Sequence, residues 1–162
     1  MFAIRRALPD DALGIHEAHM RSIREVCSKD HTAEEIQGWG NRPYREDQRV
    51  NAIQKQHVWV VENVGKIAGY GHLFLSNKDD LMRGYVVALY LAPEANGRGL
   101  GAELIRSMIA EAQSKKAIEI SLESTLTAHG FYNKMGFRDS GEQITVEVGG
   151  SKVRCIPMTL KL

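Results

Sequence analysis

Hydrophobic positions along the chain alternate between two periods, and each change of period marks an element. Residues 2–7 form a short run that reads as an opening strand, stopped by Pro9-Asp10-Asp11, which offers a helix N-cap. From 11 to 28, Leu13, Ile15, Ala18, Ile23 and Val26 recur at helical spacing. Thr32 followed three residues on by Glu35 is a capping box, opening a short helix that Gly38 and Gly40 end. A third helix is predicted over 44–55, after Pro43. The apolar, β-branched runs 57–62 and 66–75 read as strands turned by Asn63-Val64-Gly65. Gly69 and Gly71 inside the second run mark a bulge or a close approach, and Tyr70 and His72 share one face of it. After the polar turn 77–80 comes a strand over 83–91, whose core 86–91 is continuously apolar and ends before Pro93. Leu100, Leu104, Ile105, Met108 and Ile109 place a helix over 99–114. A strand at 117–122, a short helix at 127–135 ended by Gly136, and strands at 143–148 and 152–160 around Gly149-Gly150 complete the chain.

These elements predict an α/β chain of the α+β type. Its central sheet has about seven strands, is mixed but mostly antiparallel, and carries helices on both faces. The strand–helix–strand unit 86–122 sets its two strands parallel through a right-handed crossover. At 162 residues one domain, 1–162, is expected. The formal net charge of +1 gives no long-range attraction to nucleic acid or anionic membrane, so neither is expected as a partner. No apolar run approaches the roughly 20 residues that span a bilayer, and the first residues lack a secretory apolar core. Cys27 and Cys155 read as reduced thiols of a cytoplasmic protein. His16 and His19 sit three apart on the first helix, but no third ligand is near in sequence; a surface or half-buried pair is expected, and no metal site.

The candidate chemistry lies at Gly97, Gly99 and Gly101, around Arg98, at the start of a helix. The first N–H groups of a helix have no partner within it, and its dipole adds partial positive charge there. Glycines let a ligand come close, so this turn is an anion site suited to a pyrophosphate. Gly97, Gly99 and Ala102 also satisfy a dinucleotide fingerprint, with Glu119 downstream as a ribose contact, but too little chain follows for the usual βαβ array. No phosphate-binding P-loop is present.

Leu89-Tyr90-Leu91-Ala92-Pro93-Glu94, then Asn96-Gly97-Arg98-Gly99-Leu100-Gly101, resembles the acetyl-CoA motif of GNAT-type N-acetyltransferases. Asn96 departs from the Gln or Arg usual there. Ala128-His129-Gly130-Phe131-Tyr132 through Gly136-Phe137 resembles a second motif of the same family, in the right order and spacing. The resemblance covers nearly the whole chain and implies a sheet whose strands 86–91 and 117–122 splay apart to admit the cofactor arm. It implies backbone contacts to acetyl-CoA from Leu89, Tyr90 and Leu91, and pyrophosphate binding by Asn96, Gly97, Arg98, Gly99, Leu100, Gly101 and Ala102. Thr125 falls where the family often contacts the cofactor arm, and Tyr132, a cofactor contact as well, where it keeps a general acid. Glu123 and His72 are candidates for the base; His31, Trp39 and Tyr44 are candidates for the acceptor pocket. The expected reaction is acetyl transfer by direct attack of a primary amine, borne by a small molecule or a peptide. A non-catalytic acyl-CoA sensor is the alternative. An edge strand in the terminal hairpin leaves monomer and homodimer both open.

Overall fold

The computed structural model describes residues 1–162. Its strands are β1 (Phe2–Arg6), β2 (His57–Asn63), β3 (Lys66–Lys78), β4 (Leu81–Leu91), β5 (Glu119–Thr125), β6 (Arg138–Asp139), β7 (Ile144–Val148) and β8 (Ser151–Lys161). Its helices are α1 (Ala12–Glu25), α2 (Ala33–Trp39), α3 (Glu46–Lys55), α4 (Leu100–Ser114) and α5 (His129–Lys134). The sheet runs β1-β2-β3-β4-β5-β8-β6, with β7 also on β8. Every pairing is antiparallel except β4 with β5.

The eighth strand, beyond the seven expected, is β6; two residues are too few to show a period. The hairpin between β3 and β4 is longer than its polarity suggested. Lys78 pairs with Leu81, so the turn is only Asp79-Asp80, both left-handed with φ of 55° and 60°. Ser76, Asn77 and Lys78 are exposed strand residues, and exposure explains their turn-like composition.

Alternation along the strands builds two packed faces. Trp59, Val61, Leu73 and Val86 meet Leu104, Ile105 and Met108 of α4. Gly71 permits that contact, because a Cβ there would lie 2.7 Å from Met108 Cε. On the opposite face Val58, Val60, Tyr70 and Ala88 pack with Ile15 of α1. Beyond them, Met20 and Ile23 of α1 join Trp39 of α2 and Val153 of β8.

The sheet forks at its centre. β4 and β5 pair only at Gly84–Ile120 and Tyr85–Ser121, and β5 continues along β8 as far as Thr125–Cys155. The expected splay is therefore present, with its fork at Tyr85 and Ser121; β4 from Val86 to Leu91 has no partner on that side. A bulge adds to it: His72 and Leu73 oppose Ala88 and Val86, leaving Val87 unmatched at the mouth of the opening.

Candidate active site

The fork opens toward the N-terminus of α4. The chain leaves β4 through a single turn at Pro93–Ala95 and reaches the helix by way of Gly97 and Gly99, with φ of 72° and 77°. Only glycine takes that conformation without strain. A Cβ on either would meet nothing within 4 Å, so the space above the turn is open. The first intrahelical bond is from Glu103 N–H to the Gly99 carbonyl, which leaves the amides of Leu100, Gly101 and Ala102 free at the positive end of a 15-residue helix. The open cradle and free donors fit a pyrophosphate. Asn96 is exposed beside them. Arg98 folds back: its Nε donates to the Glu94 carbonyl at 2.9 Å, and its guanidinium lies 4.9 Å from the Phe2 ring.

Successive residues of β4 serve opposite faces. Leu89 and Leu91 pack on the α4 side. Tyr90 points the other way, its ring 4.2 Å from that of His19 and edge-on to Trp39 at 6.4 Å. Tyr132 sits in the α4-side core, its ring edge-on to Phe131 and Phe137 at 5.2 and 5.5 Å. Burial alone pushes its phenol well above the usual tyrosine range. Thr125, at the end of β5, accepts from the Ala128 amide at 3.1 Å and so shapes the turn that delivers α5.

On the α1 and α3 side of the fork lies a cavity of about 610 Å³. Trp39, His72, Glu123 and Thr125 line it, as do Tyr70, Tyr85 and Tyr90. Tyr70 and His72 thus share one face, as alternation predicts. At the fork itself Tyr85 donates to Glu123 Oε2 at 2.5 Å. Burial and that carboxylate push the Tyr85 phenol well up. His72 contacts Gln56 Oε1, and burial lowers the imidazole to about 4, so it is neutral at pH 7. A base that weak takes a proton from an alkylammonium poorly.

Of the pocket candidates, Trp39 lines the cavity. Tyr44 is not part of the lining but packs on His16, which is, at 5.4 Å. His31 is buried away from the cavity: its Nε2 accepts from the Leu126 amide at 3.1 Å, so Nδ1–H donates to Glu35 at 3.1 Å. Burial would raise the Glu35 carboxyl, but donors from Arg154, Thr32 and His31 hold it far below the carboxylate range. This cluster ties α2 to β8 and to the loop before α5. Glu119, the ribose candidate of the dinucleotide reading, is held by Arg83 and Lys161.

Residues 27–162 match the acetyltransferase (GNAT) domain family. The chain belongs to the GNAT acetyltransferase family. This GNAT enzyme is an acetyltransferase. It is 26% identical over 142 residues, 86% of this chain and 82% of the relative, to a Bacillus subtilis protein named a putative ribosomal protein bS18-alanine N-acetyltransferase. Its fold is similar to that of a GCN5-related N-acetyltransferase from Rhodopseudomonas palustris, with a TM-score of 0.86, 22% identity, and 99% and 95% of the two chains covered. A second similar structure, YncA from Salmonella typhimurium solved with acetyl-CoA, gives 0.71 at 22% identity over 100% and 94%.

Four lining residues of this GNAT enzyme escaped the sequence. His16 and His19 were expected as a surface or half-buried pair; His19 is instead fully inside, accepting or donating at Tyr70 Oη at 2.9 Å. Their three-residue spacing was the available signal. Arg42 lies in the loop before α3 and Arg49 on that helix, both in a mostly polar stretch, and only the fold brings them to the cavity.

Proposed function

We propose that this GNAT enzyme, as one domain over residues 1–162, acetylates a primary amine seated in the 610 Å³ cavity. Acetyl-CoA supplies the acetyl group as a thioester. The free amides of Leu100, Gly101 and Ala102 bind its pyrophosphate above Gly97 and Gly99, with Asn96 and Arg98 at the rim. The unpaired edge of β4 at Leu89, Tyr90 and Leu91 takes the arm as an added strand would. Thr125 borders the same opening. The fork carries this reading: the unpaired stretch of β4 lines the cavity at Val87, Ala88 and Tyr90 and then runs into the turn that opens α4, so that two reactants can meet along it.

The amine arrives protonated and must lose that proton before it attacks. A water ordered by Glu123, itself fixed at the apex of the fork by Tyr85, relays that proton out to bulk solvent. His72, neutral and weakly basic, polarises that end of the cavity without serving as the main base. Tyr132 Oη keeps its proton at neutral pH because the ring is buried, and delivers it to the departing thiolate. The acceptor is a small molecule or a peptide N-terminus; the named target of the Bacillus relative keeps peptides in the panel.

Release of free CoA thiol, measured across an amine panel in wild type and Tyr132→Phe, tests the assignment. A drop in kcat of about 100-fold with unchanged acetyl-CoA affinity is expected. Equal activity in the two proteins refutes the acid role, and acetyl-CoA binding with no turnover on any amine makes the protein a sensor.

A further inference from the structure

The cavity holds three arginines, Arg42, Arg45 and Arg49, against a single carboxylate, Glu123. That carboxylate already accepts from Tyr85. None of the ion pairs in the protein includes any of the three arginines. Elsewhere Arg5 is matched by Asp11 and Glu62, Arg21 by Glu25 and Glu94, and Arg154 by Glu35; Arg24, Arg98, Arg106 and Arg138 also lack a carboxylate, but all four are exposed.

Arg42 and Arg49 are half-buried, and their partners are neutral. Arg42 Nε donates to the Trp39 carbonyl at 2.9 Å, and its Nη2 lies 3.4 Å from His19 Nε2. Arg49 reaches Tyr70 Oη at 3.4 Å, His16 Nδ1 at 3.3 Å and His19 Nδ1 at 3.1 Å. Both ring nitrogens of His19 therefore face guanidinium donors. Burial, then Arg42 and Arg49, hold that imidazole well below its usual range, so it is neutral and has one acceptor nitrogen. Whichever tautomer it adopts, one arginine faces an N–H instead of a lone pair. Two half-buried guanidinium groups that share one histidine and have no carboxylate partner make a site suited to an anion.

We propose that the acceptor brings that anion: a primary amine that also carries a carboxylate or phosphate, the anion held by Arg42 and Arg49 and the amine directed to Glu123 and Tyr85 at the fork. This rests on the acetyl-transfer reading. The arginines come from the α1–α3 side and Glu123 from β5, so the cavity is polarised along its length and matches a zwitterion in one orientation. The same charge repels polyamines and basic peptides.

The test compares amines in matched pairs, each anionic member beside its neutral form: α- and ω-amino acids and acidic dipeptides beside their amides, and phosphoethanolamine beside ethanolamine. Spermidine is the polycation. CoA release gives kcat/KM, and thermal shift of the enzyme with each amine gives binding without turnover. An anionic member favoured about tenfold or more is expected, with spermidine poorest. Whether the carboxylate or the phosphate pair shows the larger ratio identifies the anion. Arg42→Gln and Arg49→Gln, each confirmed folded by circular dichroism, should shrink that ratio through KM, Arg49→Lys should restore part of it, and acetyl-CoA affinity should stay as in wild type. The inference is overturned if neutral amines or spermidine are used as well as the anionic ones. It is equally overturned if the substitutions weaken acetyl-CoA and leave the ratio alone, or if acetyl-CoA binds but no anionic amine binds or reacts. Loss of acetyl-CoA binding by the folded wild type would instead refute the acetyl-transfer reading beneath it.

Discussion

Tyr132 combines an apolar setting with a polar task. Its ring is fixed by Phe131 and Phe137, and no side chain bonds its hydroxyl, so removing that oxygen disturbs little of the fold. Tyr132→Phe should therefore keep Tm within about 2 °C while kcat falls about 100-fold. A raised phenol pKa also means that kcat should show no loss from this group up to pH 9, whereas an ordinary tyrosine would begin to ionise near there. A decline in kcat centred below pH 9 and absent from Tyr132→Phe would contradict that. Tyr132 was legible because its neighbours in sequence form a motif. Arg42 and Arg49 were not. Their meaning lies in what they lack, a carboxylate partner, and that is a property of tertiary neighbours drawn from α1 and β3.

At the scale of elements, two devices position the site. The first is the left-handed entry to α4. Gly99→Ala places a Cβ in free space, so the cost is backbone strain of about 1–2 kcal/mol, together with weaker acetyl-CoA binding as the methyl fills the cradle. Chemical denaturation and calorimetry check the two effects separately. The second is the buried Glu35 cluster. Glu35→Ala would strand His31, the Arg154 guanidinium and two backbone amides, and should cost about 2–4 kcal/mol, lowering Tm on the order of 10 °C. An unchanged Tm would mean that α2 is held by its apolar contacts alone. The capping box that begins this cluster was plain in the sequence, and the structure forms both of its bonds. The cross-links to β8 and Leu126 were not, since residues 119 and 95 positions apart share no local period. Strand existence was legible from alternation. The added lengths of β3 and β4 were not, because exposed strand ends have turn-like composition.

Across the whole molecule, neutral histidines under a cationic cavity make stability depend on pH. The His72 imidazole is lowered from 6.5 to about 4, and His19 and His16 are lowered too, by burial first and then by nearby arginines. Between those two values the unfolded chain binds protons that the folded chain does not. Stability must therefore rise with pH through this window, and it is lost as pH falls from about 6.5 toward 4. Glu35 and Asp11, both lowered by their hydrogen bonds, add a second loss below about 4.5. Urea midpoints at pH 7.5, 6, 5 and 4 should fall steadily; a flat profile from 7.5 to 5 would contradict the buried neutral state. The run β2-β3-β4-β5 and the splay followed from strand order and the family motif; the place of β8 between β5 and β6 did not. The polarity of the cavity did not, because its charged and polar residues come from α1, α3, β3, β4, β5 and the loop before α3, which meet only in the fold.

The central claim is that the fork and the glycine-led helix start form an acetyl-CoA site. Calorimetric titration of acetyl-CoA into wild type and Gly99→Glu, with NADH as control, tests it most directly. The Cβ of a glutamate at that position meets no other atom, the backbone strain is the same as for alanine, about 1–2 kcal/mol, and the charge opposes a pyrophosphate. Micromolar acetyl-CoA binding that is lost in Gly99→Glu, with no NADH binding, is the predicted result. Equal acetyl-CoA affinity in both folded proteins, or none in wild type, would contradict it.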